Sequence, residues 1–154
     1  MTADQVKTIT DSWLIVSSQP NLVKSFYDKL FELAPHTKRF FPEDLSKQSE
    51  KLAYTLNFLV LNLDRIGEIK ESIEDLGRMH NKMQILPEHY GYVKDALIYT
   101  ILKNMEADAE EKAKVSEAWD LALTFVATTM INAPEKREPR FSRLFARLKK
   151  MTKG

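Results

Sequence analysis

The sequence predicts an all-α protein. Apolar residues recur at spacings of three and four along nearly the whole chain, and only four glycines and six prolines punctuate its 154 residues. Neither strand-like alternation nor an Asn-Gly hairpin signal occurs. This length suits one domain with one sizeable core. With 23 basic and 22 acidic residues, no global charge draws the chain towards nucleic acid. The absence of cysteine excludes disulfides, thiol catalysis and cysteine-held zinc or iron–sulfur centres. The start, MTADQVKTIT, lacks the basic residues and apolar run of a secretory signal, and no apolar stretch is long enough to cross a bilayer. A soluble, cytoplasmic protein is expected, peripheral to a membrane if its basic tail binds one.

Each element follows from local signals. A first helix opens near Thr2, with Gln5 three residues on to complete a capping box, and runs to about Ser18. Pro20 suits the first turn of a second helix carrying LVKSFYDKLFEL. Pro35 ends that helix and starts a short turn closed by Pro42. The next helix begins between Asp44 and Ser46 and reaches about Leu63, with Leu45, Gln48, Leu52, Leu56, Leu59 and Leu63 on one face. A shorter helix covers about 72–83. Pro87 heads another, with Tyr90, Val93, Leu97, Ile101 and Met105 aligned. The last core helix spans about 110–132 and aligns Trp119, Ala122, Val126 and Met130. A core domain over 1–133 and a C-terminal extension over 134–154 are expected. From residue 135 on, eight basic residues face two acidic ones, with Phe141, Leu144, Phe145 and Leu148 at helical spacing. Such a basic amphipathic segment suits either an anionic membrane surface or a second subunit.

His80 poses the functional question. Ile69, Ile73, Leu76, His80 and Met83 step by three and four, so the histidine points where its apolar neighbours point. Either it is a core histidine bonded to a carbonyl, or it is a ligand, since neutral imidazole is the commonest metal ligand. A protein-only metal centre needs further ligands. His36 and His89 are the only other histidines, and no His-x-x-x-His or Glu-x-x-His pair lies near His80, so no zinc or two-metal centre is expected. A haem asks less, because the porphyrin supplies four nitrogens and the protein one axial imidazole. Such a pocket also needs an apolar wall and one or two polar groups on the open iron face. The stretch FYDKLFELAPHTKRFF offers Phe26, Tyr27, Phe31, Phe40 and Phe41. Gln48 interrupts an otherwise leucine stripe, one turn before Leu52.

These landmarks come in a particular order: Trp13 in the first helix, FYDKLFELAP ending at Pro35, Phe41 fourteen residues after Tyr27, QSEKLAYTL, then LGRMH and HYGYV. In this order the chain resembles the globin family, most closely bacterial single-domain haemoglobins and the globin part of flavohaemoglobins, from about Trp13 to Met130. The resemblance implies the globin fold, with helices A, B, C, E, F, G and H, and haem b as cofactor. It implies that His80 is the iron ligand, that Leu76 packs beneath the porphyrin and that Phe41 wedges against the ring. Tyr27 and Gln48 become the distal polar residues, with Leu52 roofing the site. Tyr90 matches a helix G tyrosine, Val93 lines the same wall, and Lys51 is placed to reach a propionate. His89 is expected to be partly exposed near the haem edge. Pro134 and Leu123 stand where flavohaemoglobins carry a glutamate and a tyrosine behind the proximal imidazole.

Reversible binding of oxygen, and of nitric oxide and carbon monoxide, is the implied function, as in oxygen transport. Nitric oxide dioxygenation with a separate reductase and haem-based gas or redox sensing are the alternatives. A haem-free helical interaction module remains as a reading from a different class.

Overall fold

In a computed structural model of the chain, residues 1–135 are described. The predicted amphipathic face Phe141–Leu144–Phe145–Leu148 lies outside the described residues. Six α-helices, two 3-10 helices and no strand occur among them, as the periodicity predicts.

Helix α1 (Ala3–Ser17) begins with the expected capping box: the Thr2 N–H donates to Gln5 Oε1 at 2.8 Å, and the Gln5 N–H donates to Thr2 Oγ1 at 3.2 Å. Each bond satisfies a backbone group that the helix end would leave orphaned. Helix α2 (Leu22–Leu33) starts later than expected. Pro20 lies in the turn before it, because the apolar stripe Leu22, Phe26, Tyr27 and Leu30 that anchors the helix begins only at Leu22. Pro35 opens a 3-10 helix (Pro35–Phe40), pinned by the buried Thr37 hydroxyl donating to Ala34 O at 2.7 Å.

Helix α3 (Ser46–Leu61) stops two residues before the predicted end. The Asn62 amide turns back to donate to Phe58 O at 2.7 Å, and a 3-10 turn, Leu63–Arg65, follows. Helices α4 (Lys70–Lys82) and α5 (Pro87–Lys103) match their expected positions. Helix α6 (Ala109–Ile131) is capped by Asp108, whose carboxylate accepts the Glu111 N–H at 2.8 Å; a carboxylate there also meets the positive end of the helix dipole.

Helix α6 packs against α1, α4 and α5, while α2 lies on α5. Two tryptophans lock the centre. Trp119 is fully buried and its indole N–H donates to Ser12 Oγ at 2.9 Å. Trp13 meets it edge-on at 6.0 Å and donates to Asn57 Oδ1 at 2.7 Å, tying α1 to α3. Where α4 crosses α6, Gly77 faces the Met130 backbone so closely that a Cβ would stand 2.6 Å from Met130 Cα. Only glycine permits that approach. Consecutive helices α3 and α4 rest mainly on other elements: α4 on α6, and α3 on α1 and α2. The candidate site residues lie on α3 and α4, with others from α2, α5 and the end of the first 3-10 helix.

Candidate functional site

Helices α3 and α4 show the same burial gradient. Along α3, Leu63 beyond its end, Leu59 and Leu56 are buried, whereas Leu52, Gln48 and Leu45 are half-buried. On α4, Ile69 and Ile73 are buried, while Leu76 and His80 are half-buried. An apolar stripe normally buries along its whole length. Here each stripe opens towards the end that carries its polar residue. The predicted inward face stops at His80: Met83 is 51% exposed, because α4 ends at Lys82 and leaves it in the cap.

The end of α4 is held firmly. Gln84 adopts φ 61°, the left-handed region unusual for a non-glycine residue. The Gln84 N–H then donates to Asn81 O at 3.0 Å, and the Ile85 N–H to His80 O at 3.1 Å, the paired bonds of a Schellman ending. No residue-type signal announced this, since glycine or asparagine is the usual occupant.

His80 Nδ1 lies 2.7 Å from Leu76 O, one turn back on its own helix. A carbonyl can only accept, so Nδ1 carries the proton and the Nε2 lone pair is left for a ligand. This is the arrangement in which a second hydrogen bond fixes the tautomer and the ring orientation of a metal-binding imidazole. Tyr90, from α5, stacks obliquely at 5.8 Å. Its hydroxyl is buried and unpartnered among the described residues, and burial pushes its pKa up. A buried orphan hydroxyl is uncommon in a finished interior and marks a place where a further polar group belongs.

Tyr27, on α2, is 3% exposed. Its ring is gripped by Phe26 at 5.0 Å, Phe31 at 5.9 Å and Phe41 at 5.4 Å. Burial pushes its pKa up to about 12, so its hydroxyl keeps its proton at any physiological pH and is a permanent donor. Phe41 and Leu52 are half-buried against the core, as are Leu76, Tyr90 and Val93. Gln48 sits half-buried in the first turn of α3 and makes no hydrogen bond among the described residues. Lys51 is exposed on the outer side of the same helix.

His89 departs from expectation. It is 3% exposed rather than partly solvated. Its Nδ1 accepts the Leu86 N–H at 2.9 Å, covering an orphan donor at the start of α5, and Phe40 packs on its ring at 5.1 Å. The sequence also failed to show that His36 would meet it, at 5.5 Å between ring centroids.

A half-buried imidazole with its tautomer fixed, an orphan tyrosine hydroxyl beside it and half-buried apolar residues on several helices are groups of the kind that a haem requires. Comparison with known proteins agrees. The family model described as Globin matches residues 24–130. An uncharacterized globin-like protein of Aquifex aeolicus is 32% identical over 110 residues, covering 71% of this chain and 76% of that one. The flavohemoprotein of Vibrio cholerae is 29% identical over 122 residues, 77% of this chain, but the chain spans only 30% of that protein's length.

Among solved structures, a bacterial globin from Campylobacter jejuni superposes with a TM-score of 0.69 at 19% identity, over 84% of this chain and 96% of that one. The deoxy haemoglobin of Mustelus griseus gives 0.67 at 16% identity, over 88% and 99%. The chain belongs to the globin family, and haem binding follows from that membership. No helix among the described residues is long and apolar enough to cross a membrane.

Proposed function

We propose that this globin holds haem b through His80 and binds oxygen reversibly, with Tyr27 and Gln48 as the distal donors. The observation that carries the reading is the His80 Nδ1–Leu76 O bond, which presents Nε2 as the free ligand atom. Haem, when bound, supplies an iron whose sixth position takes a diatomic gas.

The chain's own residues do the rest. His80 is oriented by a carbonyl rather than a carboxylate, and a carbonyl lends an imidazole less of the electron push that favours oxidative chemistry. Leu76, Leu52 and Val93 supply apolar contact and exclude water, and Phe41 holds the ring from the corner after the 3-10 helix. The Tyr27 hydroxyl and the Gln48 amide donate to a ligand that accumulates negative charge, which favours oxygen over carbon monoxide. Lys51, on the rim, pairs with a propionate.

Resemblance to flavohemoproteins supports a second reading: consumption of nitric oxide and oxygen to give nitrate, with electrons from a separate reductase. The 134–154 extension is proposed as a contact segment for an anionic membrane or a second subunit. Truncation after Asn132 then abolishes liposome binding in the first case and changes the sedimentation coefficient in the second.

The primary test is the visible spectrum of the purified protein, ferric, dithionite-reduced and then air-exposed, beside His80→Ala. An intense Soret band, an oxygenated form and their loss in the variant are expected. A chain that takes up no haem even when it is added refutes the reading. Turnover of nitric oxide with an added reductase separates the second function from the first.

A further inference from the structure

Two of the three histidines, 53 positions apart in sequence, converge, with 5.5 Å between ring centroids. His36 stands exposed on the 3-10 helix, and His89 is buried in the first turn of α5 beside the exposed Glu88. One ring nitrogen from each histidine and one carboxylate oxygen of Glu88 lie within 4.8 Å of one another. His89 Nε2 is 3.8 Å from Glu88 Oε1 and makes no hydrogen bond among the described residues. The ring that carries it is immobilised by Leu86 and Phe40. Tyr92 packs edge-on against the His36 ring at 5.7 Å and steadies it from the side.

We propose that His36, Glu88 and His89 form a binding site for a zinc-class divalent transition-metal ion, independent of the haem. Two imidazoles and a carboxylate are the donor set of open three-ligand zinc sites, with water in the fourth position. Bond lengths of about 2.0–2.2 Å place tetrahedral ligand atoms roughly 3.3–3.5 Å apart. The three groups therefore need to close by about 1.5 Å at most. His36 and Glu88 are exposed and supply that movement by side-chain rotation, while His89 stays as the fixed point.

The structure adds a signature that an adventitious surface ion would lack. Without metal, the Leu86 N–H donates to His89 Nδ1, so the proton of the neutral ring sits on Nε2. Metal at Nε2 requires the other tautomer, with the proton on Nδ1. The Leu86 N–H then loses its acceptor, so metal binding is coupled to uncapping of α5, at the link that follows the His80 helix. In effect the ion would clamp the 3-10 helix to the start of α5.

The test is calorimetric titration of the untagged, full-length, haem-loaded chain with Zn2+, beside His36→Ala and Glu88→Gln. Both variants change exposed side chains, and retention of the Soret band checks that the fold survives. One equivalent per chain is expected, weakened at least about tenfold in His36→Ala. Histidine 15N spectra should show His89 passing from the Nε2–H to the Nδ1–H form as metal is added. Absence of binding, binding unchanged in His36→Ala, or a His89 tautomer indifferent to zinc overturns the proposal. None of these readouts depends on what gas the haem takes.

Discussion

Substituting Gly77 with alanine tests how the helix that carries His80 is held. An ordinary glycine in a helix interior is a liability, and its replacement by alanine stabilises by about 1 kcal/mol. Here the added Cβ would lie 2.6 Å from Met130 Cα and 2.8 Å from Met130 C, with Met130 O nearer still. All three are backbone atoms and cannot rotate away. Carbon contacts are comfortable from about 3.5 Å, so α4 must move off α6 by roughly 1 Å.

Overpacking of this kind costs about 1–3 kcal/mol, backbone shifts included. Set against the propensity gain of about 1 kcal/mol, the expected net loss is up to about 2 kcal/mol. In a chain of this size that lowers Tm by about 2–4 °C per kcal/mol. Because His80 lies three residues beyond Gly77, haem release should also be faster.

Gly91 supplies the control. It lies within α5 with nothing within 4 Å of a built Cβ, and Gly91→Ala is expected to raise Tm. Thermal unfolding followed by circular dichroism, with haem transfer to an acceptor globin, reads both effects. If Gly77→Ala matches Gly91→Ala in sign, the close crossing of α4 over α6 is wrong, and with it the account of how His80 is positioned.

Three further outcomes follow from the same geometry. Tyr27→Phe removes the proposed distal donor, worth roughly 1–3 kcal/mol, so stopped-flow oxygen release should accelerate roughly fivefold to a hundredfold; an unchanged rate takes Tyr27 out of the gas site. Ser12→Ala strips the buried Trp119 indole N–H of its acceptor, and denaturant titration should show a loss of about 1–3 kcal/mol; no loss would mean that the bond contributes nothing net. In an alkaline ultraviolet titration, Tyr27 should ionise near pH 12 and Tyr90 above the ordinary tyrosine value as well, because burial disfavours both phenolates. Between pH 10 and 12 the native state then holds more protons than the unfolded one, so stability falls as pH rises through that window. Ionisation of Tyr27 near pH 10 with the fold intact would contradict its burial.

The sequence by itself determined whatever is decided within a turn or two of chain. The Thr2–Gln5 capping box, the breaks at Pro35 and Pro87 and the leucine face of α3 are all local. Each rests on backbone donors and acceptors three or four residues apart, and so it could be read directly. The ordered landmarks Tyr27, Phe41, Gln48 and His80 belong here too, because their order along the chain carried the resemblance.

Tertiary structure decided depth and encounter. Helical periodicity tells which side of a helix faces inward but not how far, so Met83 fell outside the stripe and His89 inside the core. The start of α2 moved past Pro20 because packing of Leu22, rather than proline geometry, sets where that helix is anchored. Gln84 accepts a left-handed backbone because the ending of α4 needs one there, against the preference of its residue type. Gly77 owes its place to a helix that is 53 residues away in sequence at Met130, and His36 meets His89 across a similar gap. Such contacts depend on the crossing of whole helices, which no local spacing encodes.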